Sequence, residues 1–257
     1  MIDIRNNEIH LWVVEDKKIT NQLLLEKYKA LLNSEEKKRL ERFVFPKHKK
    51  QFLITRALLR SVLGQYFDRA PESLVFARNA YGKPKIGSFE KSWPISFNLS
   101  HTNALSVLAV TRENELGVDV EYINRKVDSL KLANRYFSTL EYNDLSALNA
   151  RQLDDWFFKL WTLKEAYIKA YGMGLAIRLR DFSFNFNNNG IDITFAEKRD
   201  GKPEFWQFWQ FDYKSSFQLA LAMKLKQKEA LYKIVTKRGK PLEQFSNFKI
   251  TPLIHTN

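Results

Sequence analysis

Cysteine is absent from the 257-residue sequence, which excludes both a disulfide framework and a thiolate zinc site. Histidine is scarce. Only His10, His48, His101 and His255 could offer a ring nitrogen, so any bound metal should be a hard cation held by oxygen. No segment approaches the roughly 18 consecutive apolar residues of a membrane span. The opening stretch MIDIRNNEIHLWVVEDKK also lacks the basic start and long apolar run of a secretory signal. A cytoplasmic protein is the expectation. Acids are outnumbered, with 29 Asp and Glu against 42 Lys and Arg, a net charge of +13 that calls for an anionic partner. Nucleic acid, a membrane surface, a phosphorylated ligand and an acidic protein all satisfy that requirement.

Apolar material is plentiful. A 44% hydrophobic and 14% aromatic composition supports a packed core in a globular chain of one large or two small domains. Periodicity places a strand at about 8–14, short helices over 22–42 and a longer helix over 48–67, followed by strands near 73–77, 95–99 and 104–111. A strand at 116–121, helices near 128–147 and a long helix over 151–171 come next. Strands at 181–186, 191–195, 205–211 and 217–225 follow. Strand, helices, long helix and strands thus occur twice, and the expected architecture is α+β, two similar α/β halves related by a pseudo-twofold axis. The halves divide as 1–114 and 115–257. Neither is joined by a Pro/Gly/Ser-rich linker, so a site would form in the cleft between them. The segment with Lys224, Lys226, Lys228, Lys233, Lys237, Arg238 and Lys240 reads as a solvated edge strand and tail.

Five stretches carry residues suited to chemistry. In GVDVEYI the strand period puts Asp119 and Glu121 on one face, roughly 7 Å apart along the strand. On open surface water would screen the pair; the apolar flanks Val118, Val120 and Ile123 favour a partly buried strand end, where the two charges need a cation. In WTLKEAYIKAYGMGL, Glu165 and Lys169 stand i,i+4, an arrangement that alone is an ordinary helix pair. Trp156, Phe157, Phe158, Trp161 and Tyr167 leave little room for a solvated face, so Glu165 is expected to point into a site. Gly172 and Gly174 suit a left-handed helix stop. On the long helix of the first half, Arg56 and Arg60 form a like-charge i,i+4 pair that requires an anion or a carboxylate nearby. Lastly, Gly82-Lys83-Pro84 is a turn bearing a cation. Asn98-Leu99-Ser100-His101 ends a strand in groups able to hydrogen-bond phosphate or ribose.

Taken in order, RFVFPKHKKQFLITRALLR, GKP, FNLSH, GVDVE and WTLKEAYIKAYGMGL resemble the Sfp-type 4′-phosphopantetheinyl transferases over about residues 39–175. The resemblance implies two α/β halves with coenzyme A between them, its 3′-phosphate and adenine on the 1–114 side and metal and catalysis on the 115–257 side. It implies that a carrier-protein serine attacks the β-phosphorus of CoA and releases 3′,5′-ADP. By the same resemblance Asp119, Glu121 and Glu165 are Mg²⁺ or Mn²⁺ ligands, Lys169 contacts the pyrophosphate, and Glu165 or a metal-bound water takes the serine proton. Arg39, Arg56, Lys83, Pro84, Asn98, Ser100 and His101 would hold the phosphoadenosine part. Partners would be CoA and an acidic acyl or peptidyl carrier, for a monomer with no nucleic-acid or membrane partner. The alternative is a Mg²⁺-dependent nuclease or a basic nucleic-acid-binding protein, which explains the charge but not the upstream motifs.

Overall fold

The structure, a computed structural model, describes residues 1–87, 95–187, 190–196, 202–227 and 231–256. Its first elements are β1 (Glu8–Glu15), α1 (Gln22–Ala30), α2 (Ser34–Glu41), α3 (Pro46–Phe67), β2 (Phe76–Arg78), β3 (Pro84–Ile86), β4 (Ile95–Thr102) and β5 (Leu105–Arg112). There follow β6 (Glu115–Tyr122), α4 (Ser129–Tyr136), α5 (Thr139–Ser146), α6 (Ala150–Tyr171), β7 (Phe182–Asn187) and β8 (Gly190–Phe195). The last are β9 (Trp206–Tyr213), β10 (Phe217–Lys224), β11 (Lys233–Gly239), β12 (Phe245–Asn247) and β13 (Ile254–His255). This is a mixed α+β chain with two compact units.

One unit comprises Met1–Arg78, Pro84–Glu113 and Leu231–Lys249. Its sheet runs β12-β11-β1-β5-β4, with β1 antiparallel to β5 and parallel to β11. The strand period sends Trp12 and Val14 of β1 and Leu108 and Val110 of β5 to one face, where Ile54, Leu58 and Val62 of α3 join them in a single core. The helical stretch before α3 breaks in two because Asn33 opens α2 with a capping box: its side chain accepts from Glu36 N while the Glu36 carboxylate accepts from Asn33 N. Pro71 starts a short 3₁₀ turn, so the strand expected at 73–77 is delayed to β2.

The second unit is built from the described residues of 79–83, 114–230 and 250–257. Its antiparallel sheet runs β13-β9-β10-β6, and α6 is laid on it through an aromatic cluster. The Tyr167 ring lies 4.5 Å from Trp206 and 4.6 Å from Phe182. The four strands expected between 181 and 225 appear as β7 to β10. Each unit contains one 22-residue helix, α3 and α6, seated on a sheet.

The Lys-rich C-terminal segment departs from the expectation of a solvated edge strand. β11 pairs with β1 on one side, from Glu8↔Lys233 to Val13↔Arg238, and with β12 on the other. Long cationic side chains permit this because their stems cover apolar surface while the charge stays near water. The Lys237 ammonium stands over the Trp12 ring and the Arg238 guanidinium over Phe248. Residues 231–249 therefore complete the sheet of the first unit, although a single cut after residue 114 would leave them with the second. Lys228 lies outside the described residues.

Candidate active site

Glycine at 117 sets the geometry of the acidic cluster. A Cβ there would fall 2.0 Å from Ala166 O and 2.4 Å from Ala170 N, so only a bare backbone lets α6 lie directly on β6. Period two along β6 then turns Asp119 and Glu121 toward the same side as Gly117. Along α6, Trp161, Glu165 and Lys169 are half-buried positions at spacing four on a helix that is otherwise buried from Leu160 to Ala170. Strand face and helix stripe meet. The Lys169 ammonium donates to Asp119 Oδ1 at 2.6 Å, and Asp119 is only 4% exposed.

The electrostatics record crowding. Burial, then the charge of Asp119, pushes Glu121 up to about 7, against Arg125, Lys169 and a hydrogen bond to Trp161. Glu165 is raised by burial first and Asp119 second, with Lys169 opposing. Arg125 reaches Glu121 Oε2 at 3.1 Å. Among the described residues no three His, Asp or Glu side chains converge as a group that could hold a metal ion. Asp119 instead takes the Lys169 ammonium. The donor set is nonetheless all oxygen, and its acids repel one another with the Lys169 ammonium and the Arg125 guanidinium against them, the chemistry a hard divalent cation suits.

Lys164, next to Glu165, is not among the residues singled out by spacing or motif. It is fully buried, its ammonium 2.7 Å from Glu141 Oε2 and donating to Leu179 O at 2.8 Å and Phe182 O at 2.7 Å. Glu141 in turn accepts from Ser138 N, Ser138 Oγ and Phe184 N. Burial pushes Lys164 down to about 8, with Glu141 opposing. This network anchors α6 about 100° around its axis from Glu165 and so sets its rotation. A signal existed: the neighbours of Lys164 one helical turn away, Leu160, Tyr167 and Ile168, are apolar and buried.

Lys83 is also a brace. Its ammonium donates to Leu116 O at 3.1 Å and Ala170 O at 2.8 Å, and burial pushes it down to about 8. Beside it Gly172 ends α6 at φ +77°, where a Cβ would meet Lys83 Cδ at 2.9 Å. The cation expected to hold phosphoadenosine therefore ties the 79–83 turn to the end of α6.

In the first unit a cavity of about 720 Å³ is lined by Lys38, Arg39, Arg42, Arg56 and Arg78 against Glu35 and Glu36, with Phe52, Phe76 and Pro84 among its walls. Arg60 does not share it. Fully buried, Arg60 gives its donors to Glu36 Oε2 at 2.8 and 3.0 Å and to the carbonyls of Pro71 and Leu74. Glu36 is thus the carboxylate that the Arg56/Arg60 spacing demanded, and it stands 3.8 Å from Arg56. Burial lowers the Arg56 pKa despite that partner. Asn98 and Ser100 point to one face of β4, both buried, whereas period two puts the exposed His101 on the other. Arg78, lining the same cavity as Arg39, Arg42 and Arg56, was not distinguished in the sequence from other surface cations.

A cavity lined by arginines in one unit and an acid cluster with its own lysine in the other are groups whose chemistry suits phosphate oxygens and a hard cation. Residues 115–222 match the 4′-phosphopantetheinyl transferase superfamily, and residues 20–113 match the N-terminal part of 4′-phosphopantetheinyl transferase. The 4′-phosphopantetheinyl transferase HetI of Nostoc sp. is 37% identical over 175 residues, 68% of this chain and 73% of that protein. Sfp of Bacillus subtilis is 30% identical over 165 residues, 64% and 71% of the two chains. The L-aminoadipate-semialdehyde dehydrogenase-phosphopantetheinyl transferase of Xenopus laevis is 28% identical over 206 residues, 74% and 67%. The chain belongs to the 4′-phosphopantetheinyl transferase family, whose reaction moves 4′-phosphopantetheine from coenzyme A to a carrier protein.

Proposed function

We propose that the transfer depends on Mg²⁺, with Mn²⁺ as a substitute, held by Asp119, Glu121 and Glu165. The observation that carries this reading is the meeting of the β6 acids with the Glu165/Lys169 stripe of α6, where Lys169 already bonds Asp119 at 2.6 Å. A bound divalent cation supplies neutralising charge to pyrophosphate oxygens and relieves the repulsion among the three carboxylates. Lys169 adds a second positive charge at the same place, for the pyrophosphate of CoA. Glu165, whose carboxyl is raised by burial and by Asp119, takes the serine proton as the serine oxygen bonds to the β-phosphorus and 3′,5′-ADP leaves.

Arg39 and Arg56 receive the 3′-phosphate in the first-unit cavity, where Arg42 and Arg78 add donors that pair well with phosphate oxygens. Lys83, Pro84, Asn98, Ser100 and His101 complete the set of CoA contacts. The +13 charge steers an acidic carrier, in the fatty-acid, polyketide or peptide-synthetase class, toward a monomeric cytoplasmic enzyme. Family membership replaces the nucleic-acid reading of that charge.

The test is incubation with CoA, MgCl₂ and a panel of apo-carriers, read by intact mass. A gain of one phosphopantetheinyl group that vanishes in excess chelator, and falls by several orders of magnitude in Asp119→Ala and Glu165→Ala, is the expected result. Full activity in chelator, or near-normal turnover of Glu165→Ala, would remove the metal and base roles.

A further inference from the structure

The turn between α2 and α3 exposes apolar side chains that nothing in the first unit covers. Three apolar residues follow one another there and part ways. Phe43 packs its ring 5.4 Å from Phe52 in a small cluster with Leu32 and Leu40. Val44 is 83% exposed and Phe45 59%. Their outward direction is built into the backbone: Phe45 is the N-cap of α3, its carbonyl accepts from His48 N and Lys49 N, and Pro46 fixes the next φ. Two adjacent apolar side chains held in water on a fixed turn suit the centre of a docking surface.

Cations ring this pair. Lys47 and Lys49 follow on the exposed first turn of α3, and Lys17 is exposed after β1. Among the described residues none of these three lysines forms an ion pair. A cavity of about 400 Å³ opens beside the turn, lined by Lys17, Lys47, His48 and Lys50 with Gln51 and Asn103. Its one acid, Asp16, is 6% exposed and bonded to Ser106, and so does little to compensate the lysines outside. The surface therefore asks for a partner with carboxylates around an apolar spot.

We propose that Val44 and Phe45, with Lys17, Lys47 and Lys49 around them, are the docking surface for the acidic face of the carrier protein. The inference rests on the proposed acidic carrier; none of these five residues is among those assigned to CoA, metal and catalysis. Val44 and Phe45 supply the apolar anchor, and the lysines accelerate and orient the encounter.

The experiment separates docking from chemistry by titrating the enzyme with a carrier whose modified serine is replaced by alanine, which binds but cannot react. Transfer to the unaltered carrier is measured in parallel as the test of the enzyme reading. Val44→Ser/Phe45→Ser and Lys47→Glu/Lys49→Glu should each bind the unreactive carrier at least tenfold more weakly, with CoA affinity and thermal midpoint unchanged. In transfer the loss should appear as a raised KM for the carrier at constant kcat. Carrier affinity within twofold of wild type in both variants overturns the proposal, whether or not transfer proceeds. Unchanged carrier affinity together with lost binding to phosphatidylglycerol vesicles overturns it in favour of a lipid surface.

Discussion

Asp16 sits at the end of β1 with 6% exposure, its Oδ1 accepting from Ser106 Oγ at 2.9 Å. Desolvation outweighs that hydrogen bond and the help of Gln51 and Lys50, and pushes the carboxyl up to about 6 from 3.8. A folded pKa above the unfolded one means that the folded state binds the proton more tightly. The ionised form therefore costs stability, nothing below pH 3.8, increasingly between 3.8 and 6, and fully above 6. Asp16→Asn, which keeps an oxygen for Ser106, should be more stable than wild type by up to about 3 kcal/mol at pH 8 and by about half of that at pH 5. Urea unfolding at the two pH values measures it; equal gains at both would mean that Asp16 ionisation is not responsible. Residue roles were legible where spacing alone decides them, as with Asp119 and Glu121 on one strand face. They were illegible where a distant backbone decides them. Lys83 meets Leu116 O and Ala170 O, and Arg60 meets Pro71 O and Leu74 O, partners no local pattern reveals.

At the scale of the element, α6 is held on one side by a buried ion pair and carries Glu165 and Lys169 on another. Lys164→Met leaves the Glu141 carboxylate charged in a dry site and two carbonyls without their donor, a change costing about 3–5 kcal/mol. Adding Glu141→Gln removes the stranded charge while its single amide oxygen keeps an acceptor for Ser138, at the cost of the bond from Phe184 N, so the double variant should regain part of the loss. A double variant no more stable than Lys164→Met, in denaturant midpoint, would mean the charge pairing is not what Lys164 provides. Helices and their caps could be read from the sequence because Asn33 and Glu36, or Gly172 after Lys169, signal within four residues. The seating of α6 on β6 could be read only in part: GVDVE announced the acids, whereas the function of Gly117 is set by Ala166 and Ala170, some fifty positions on. β11 was the element most at odds with expectation. Its lysines obey the rule for edge strands, but the rule assumes that charge must reach water sideways, and Lys237 reaches it over the Trp12 ring.

For the whole molecule, that strand decides how the chain can be divided. β1 is buried from Glu8 to Val14 and pairs with β11 along six residues. Further contacts reach the same core from the same segment: the Phe245 ring lies 4.9 Å from Trp12, and Tyr28 OH donates to Pro241 O at 3.0 Å. A fragment 1–114 would therefore present an unpaired β1 edge and an uncovered Trp12, a ready template for aggregation. It should lack a cooperative thermal transition and associate. The same fragment carrying residues 231–249 through a flexible linker has every strand of the sheet β12-β11-β1-β5-β4 and should recover a cooperative transition as a monomer. Circular dichroism melts and sedimentation of the two fragments decide between these outcomes. If 1–114 melts cooperatively as a monomer without the added strands, the sheet does not need β11, and the chain can be cut after residue 114 as its sequence alone suggests.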